Sequence, residues 1–237
     1  MFPVFARISC FLLLVLTCIY SINVQGKARD PLQVQLPNLP VIPGASWTWV
    51  GQDMALNGVP MSIKTFEYRG TESELERFYI SLWKSKGHGQ YRAKDLGKYR
   101  IIGHELDGFY ASVQYSQVGG LVKGKLVVTE VQTRTKRRYK VTVPQPPSSK
   151  LLSRIDSLDG NRRAETVTFE STKGVDFNSR YYENQLTRKD WLLVFQRTPS
   201  RNLSIRHYKK GSSLMQVTCK RLPGARKGSH LIVHHIK

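Results

Sequence analysis

Apolar residues at positions 75, 78, 79, 82 and 83 recur with the three-and-four spacing of one helix face, carried by Leu, Phe, Tyr, Leu and Trp. Thr71 and Glu74 precede them as a capping box, and Gly87 follows as a stop signal, so the spacing predicts a helix opening near Thr71. Upstream, "SWTWVGQDMAL" and "VPMSIKTFEY" are rich in β-branched and aromatic residues and flank Asn57-Gly58, a dipeptide suited to the positive φ of a tight hairpin turn. Downstream, "YRIIGHE", "DGFYASVQYS", "GKLVVTEVQ" and "RRYKVTV" read as strands separated by turn residues. An amphipathic helix needs an apolar surface, and a sheet of these strands supplies one.

A second stretch repeats the order. Phe66-Glu67 corresponds to Phe169-Glu170, and Arg77-Phe78-Tyr79 to Arg180-Tyr181-Tyr182, each 103 positions apart. Beyond the helix "YRIIGHE" aligns with "WLLVFQR", Tyr115 with Tyr208 and Val143 with Ile236, the last two pairs 93 apart. Agreement over several elements favours duplication over a chance likeness of two helices. The expected fold is α+β: two tandem duplicated units, residues 46–143 and 150–237, each a curled antiparallel sheet with one helix packed across it. Residues 144–149 (PQPPSS) form the expected linker, and the Pro-rich residues 27–45 an extended arm. "NGVPMSIKTF" followed by "ELERFYISLW" resembles uncharacterised exported bacterial envelope proteins with helix-on-antiparallel-sheet units. The resemblance implies a bacterial envelope setting and brings no catalytic residues with it.

Residues 1–26 fit a secretory signal peptide: an early Arg7, an apolar run over 11–20, and Val24 and Gly26 as small residues before cleavage. The run is half of what a bilayer-spanning helix requires. The alternative is lipid attachment at Cys18, although Leu16 and Thr17 are bulky for that site. Cleavage removes Cys10 and Cys18 and leaves Cys219, which shares a strand face with Met215 and Val217 and reads as a buried structural thiol. The expected location is the periplasm or the exterior.

Charge adds a candidate surface. The net charge is +20, with 16 Lys/Arg against 9 Asp/Glu over residues 46–143 and 18 against 7 over 150–237. Arg134, Lys136, Arg137, Arg138 and Lys140 cluster near the end of the first unit, and Arg226 and Lys227 near the end of the second; both groups are expected at hairpin tips, as patches for an anionic polymer or an envelope protein. No helix-turn-helix, metal-finger or RNA-binding strand signature appears, so sequence-specific nucleic-acid reading is not expected.

Chemistry is sparse. His230 and His234 share one strand face and His235 the other, with no third ligand adjacent, so no metal or cofactor is expected. Glu72, Glu74 and Glu76 suit a helix N-terminus better than acid–base work. No nucleophile elbow or phosphate loop occurs. Phe78, Tyr79 and Trp83, with Trp47 and Trp49, could line an apolar pocket between helix and sheet. The expectation is therefore a non-enzymatic exported envelope protein, an accessory, docking or scaffold part of a secretion or pilus-type assembly. A polyanion-binding module and an apolar-ligand-binding protein are the alternatives.

Overall fold

Asn57 and Gly58 take left-handed backbone, φ 52° and 79°, and turn β1 (Ser46–Leu56) into β2 (Val59–Tyr68). The computed structural model describes residues 29–85, 91–131, 140–224 and 227–237; the expected signal segment, Cys18 included, lies outside them. At the start of α1 (Glu72–Ser85) the capping box closes: the Thr71 hydroxyl accepts from the Glu74 N–H at 3.2 Å, and the Glu74 carboxylate accepts from the Thr71 N–H at 2.8 Å. Four strands follow, β3 (Tyr91–Asp95), β4 (Arg100–Leu106), β5 (Phe109–Val118) and β6 (Leu121–Glu130). The rest of the chain supplies β7 (Ser149–Asp159), β8 (Arg162–Ser171), α2 (Val175–Thr187), β9 (Leu192–Ser200), β10 (Leu203–Lys210), β11 (Ser213–Arg221) and β12 (Ser229–Ile236).

All twelve strands belong to one antiparallel sheet, ordered β3-β4-β5-β6-β2-β1-β7-β8-β12-β11-β10-β9. This overturns the α+β expectation. The protein is 55% strand and 16% helix, and there is one continuous sheet in place of two curled ones. The sheets fuse because β1 and β7 pair edge to edge through Met54↔Ser157, Ala55↔Asp156 and Leu56↔Ile155. Asn57 secures that junction, its N–H donating to the Arg154 carbonyl at 2.8 Å and its side-chain oxygen accepting from the Arg154 N–H at 2.9 Å. Read outward from the junction, β1-β2-β6-β5-β4-β3 and β7-β8-β12-β11-β10-β9 are the same pairing order.

Two further expectations shift with the topology. β3 has no apolar alternation and is exposed throughout, which puts the sequence repeat one strand out of step with the sheet. "YRIIGHE" belongs to β4, whose counterpart by sheet order is β10, whereas "WLLVFQR" falls mainly in β9; Tyr115 on β5 and Tyr208 on β10 are likewise not counterparts. Val143 is not the end of a strand in the first half. It sits with Val141 in the core around α2.

Each half has its own core on the same side of the sheet. Leu75, Tyr79 and Trp83 of α1 meet Phe66, Ile102, Val113 and Leu126; Tyr182 and Leu186 of α2 meet Val167, Phe169, Val217 and Leu231. The Pro-rich residues before each half are straps over these cores. Leu39 and Ile42 are buried, Leu36 and Ala45 half-buried beside them, a three-residue period matching the turn of a polyproline-type chain. The Tyr79 hydroxyl donates to the Pro40 carbonyl at 3.0 Å, and the Tyr182 hydroxyl to the Pro144 carbonyl at 2.8 Å, so the same latch seats both straps. The first strap is thus packed where a free arm was expected, and Asp30 near its start pairs with Arg163 on β8.

Trp83 is the largest fully buried side chain in the first core. Trp83→Ala should cost about 3–5 kcal/mol in urea unfolding; Tyr182→Phe, which removes only the latch, should cost about 1 kcal/mol.

Candidate binding surfaces

Of the basic residues picked out in the sequence, Arg134, Lys136, Arg137, Arg138 and Arg226 lie outside the described residues. Lys140 and Lys227 are exposed. Lys140 and Lys227 themselves do not occupy equivalent places. Residues 131–148 connect β6 to β7, which are not sheet neighbours, whereas Lys227 lies in the turn between paired β11 and β12. The Lys140 carbonyl accepts from Arg154, which ties this residue to the junction.

The apolar pocket expected between helix and sheet is filled. Trp83 stacks on His104 at 5.4 Å between ring centres, and the space left under the strap, bordered by Leu39, Leu82, Trp83 and Phe109, is about 30 Å³. Trp47 and Trp49 stand apart from it, half-exposed on β1, with the Lys64 ammonium 4.8 and 4.6 Å from their ring centres. Lys64 also donates to the Asn38 side chain at 2.6 Å and the Leu39 carbonyl at 3.0 Å, and burial lowers its pKa. This buried cation pins the first strap.

The second half uses an ion cluster at the corresponding depth. Glu165, 1% exposed, lies 3.2 Å from Arg154 and 3.8 Å from Lys237 and accepts from the Thr142 N–H at 3.0 Å and from its hydroxyl. Arg154 also holds Asp156 at 2.6 Å; burial raises the Asp156 pKa although Arg154 opposes it. Two carboxylates and an arginine could do acid–base chemistry, but their contacts seat the strap residue Thr142, the junction strands and Lys237 after β12. Cys219 is buried on the core face of β11, its thiol pushed up to about 11 by desolvation, the environment of an inert thiol. His230 meets Glu170 at 3.4 Å, His234 meets Thr166 at 2.8 Å, and His235 faces Trp191 at 5.5 Å. Among the described residues no three His, Cys, Asp or Glu side chains gather as a metal site.

Two surfaces remain that the sequence reading did not single out. The first is β9, an outer edge of the sheet, with Leu192, Leu193, Val194 and Phe195 at 70, 41, 55 and 44% exposure. The second is the side of the first half opposite α1. There a hollow of about 840 Å³ is lined by Leu56, Val59, Met61 and Tyr110, and another of about 600 Å³ by Thr48, Thr65, Gln114 and Lys125. The signal for β9 was present as four consecutive apolar residues after Trp191, but the same run suits a buried strand. No helix among the described residues is long and apolar enough to cross a membrane. Comparisons with protein-family models, with curated proteins and with solved structures found no match to this chain.

Removing Arg154 strands a buried carboxylate, so Arg154→Ala should destabilise by about 3–5 kcal/mol, while Arg154→Met with Glu165→Gln should recover most of it; chemical unfolding of both variants decides. His235 provides a pH signature. Its pKa is lowered from 6.5, first by burial and then by the charge of Lys237. The unfolded chain therefore takes up this proton first, so the stability His235 contributes is present above pH 6.5 and is lost as pH falls from there through the lowered folded value. His235→Asn should lose less stability than the parent over that interval in melts at stepped pH.

Proposed function

We propose that this is an exported protein that works by contact, a non-catalytic docking or scaffold component of an envelope assembly of the secretion or pilus type. The observation that carries the reading is the difference between the two sheet edges. β3, at one end, is five residues long and carries Arg92, Lys94 and Asp95, the short charged kind of edge that resists further pairing. β9, at the other end, is nine residues long and exposes four consecutive apolar side chains. The apolar first half of this edge, ahead of Arg197 and Pro199, suits addition of an extended strand from a partner, with backbone hydrogen bonds for affinity and side chains for choice. Arg188, Lys189, Arg197, Lys209 and Lys210 lie on β9 or on the segments flanking it and favour an acidic partner segment. Export rests on the apolar run of residues 11–20, and the envelope setting on the resemblance of the first half.

The net charge of +20 supports a polyanion-binding module as the second reading. Salt separates the two. Capture of an envelope partner should persist as salt rises if β9 docks it, and should fall steeply if phosphate or sulfate groups are the ligand. Leu192→Lys with Val194→Lys should alter stability by no more than about 0.5 kcal/mol, because both side chains are exposed, and should abolish partner capture from native envelopes. Undiminished capture by the folded double variant would rule out β9 as the docking edge.

A further inference from the structure

We infer that the uncovered face of the first half holds a single-chain anionic amphiphile of the fatty-acid type, its tail along Val59, Met61, Ile63 and Val127 and its carboxylate at Lys125. The inference is independent of β9, which lies at the far edge of the sheet.

The face is set by strand alternation. On β2 the even-numbered Ser62, Lys64 and Phe66 point to the α1 side and are buried, which leaves Val59, Met61, Ile63 and Thr65 on the other side, half-buried and, among the described residues, with no helix over them. Cross-strand pairing extends this row to Val127 and Thr129 of β6 and to Tyr110, Ser112 and Gln114 of β5. Two hollows open on this side of the sheet. Gly103 contributes to the shape: a Cβ there would stand 2.1 Å from the Tyr110 hydroxyl, so only glycine lets that ring lie across β4.

The two hollows lie at successive positions along the same strands. Met61, Tyr110 and Thr129 line the larger; Thr65, Gln114 and Lys125 line the smaller; Ile63, Ser112 and Val127 form the half-buried strip between them. From Val59 to Thr65 the groove runs roughly 20 Å at about 3.3 Å per residue. Each volume, about 840 and 600 Å³, falls in the range of small-molecule sites. An extended, narrow ligand fits this shape better than a compact one.

The balance of charge changes along the groove and fixes the orientation. The larger hollow carries Glu105 and Glu130 against one cation, Arg92, whereas the smaller carries Lys123 and Lys125 against one anion, Glu67, so an anionic head is favoured at the smaller. The smaller hollow offers hydroxyl and amide groups from Thr48, Thr65, Gln114 and Ser116 beside two lysines. Lys123 is paired with Glu67 at 2.7 Å, whereas Lys125, exposed between Thr65 and Gln114, has no ion-pair partner among the described residues. A carboxylate placed there gains a charge-assisted hydrogen bond while the chain lies on apolar side chains.

Calorimetric titration of the protein with palmitate, butyrate and hexadecyltrimethylammonium tests this, each below its micelle concentration. Saturable palmitate binding is expected, with no binding of butyrate, which lacks the tail, and at least about tenfold weaker binding of the cationic amphiphile. Lys125→Glu should weaken palmitate by about tenfold or more, and Val127→Arg should abolish binding by filling the strip. Absence of palmitate binding, equal affinity for the cationic amphiphile, or unchanged affinity in Lys125→Glu would each overturn the inference. Thermal melts accompany both variants, and should Val127→Arg fail to fold, the exposed Lys125→Glu decides.

Discussion

Three residue pairs hold the two halves of this protein in one sheet. Met54↔Ser157, Ala55↔Asp156 and Leu56↔Ile155 are the paired residues of the β1–β7 junction. Met54 and Ser157 are also 103 positions apart, the offset that relates Phe66 to Phe169. The junction therefore joins like to like, in the manner of a two-fold interface in which one patch meets its own copy. A two-fold axis through the sheet leaves each helix on the side where it began. Ala55 and Asp156 point together to the core side, beneath which Arg154 and Glu165 are buried. Both helices and both straps consequently cover one face, and among the described residues no helix or strap covers the opposite one.

That one constraint also explains where sequence reading succeeded and where it stopped. Local chemistry was legible: Asn57-Gly58 turns because those residues accept positive φ, Thr71 and Glu74 cap each other, and the apolar stripe of α1 is buried as its spacing requires. The pairing of β1 with β7 was not, because nothing in a strand's own pattern says which edge it will meet. β3 escaped because its five exposed residues carry no alternation, and the omission displaced the repeat alignment by one strand. The straps escaped for a different reason. Leu36, Leu39, Ile42 and Ala45 repeat every third residue, a period that belongs to neither helix nor strand.

The candidate surfaces were less legible than the fold. Net charge drew attention to basic clusters, of which Lys140 and Lys227 alone are described, one between β6 and β7 and the other between β11 and β12. An exposed apolar edge and a buried strand can share one sequence pattern, so β9 becomes distinctive only once its position at the end of the sheet is known. The groove is harder still to read, since its lining comes from six strands, β1 to β6, that only the sheet brings together.

Differences between the halves show what a shared plan leaves free to vary. The slot filled by Val167 in the second half holds Lys64 in the first, and the slot of the buried Glu165 holds Ser62, each 103 positions earlier. Both arrangements seat a strap, one through an ammonium beneath two tryptophans and the other through an ion cluster around Thr142. Because either device satisfies its buried polar groups, neither constrains the opposite face of the sheet. That face has diverged accordingly. In the first half two hollows lie along it; in the second it carries the exposed Ile232 and Leu214. A hollowed surface suits a small ligand, whereas an apolar strand at the end of the sheet suits another chain. The same strand order thus leaves two different surfaces for the two proposed kinds of recognition, and the core side, where the two halves are most alike, offers neither.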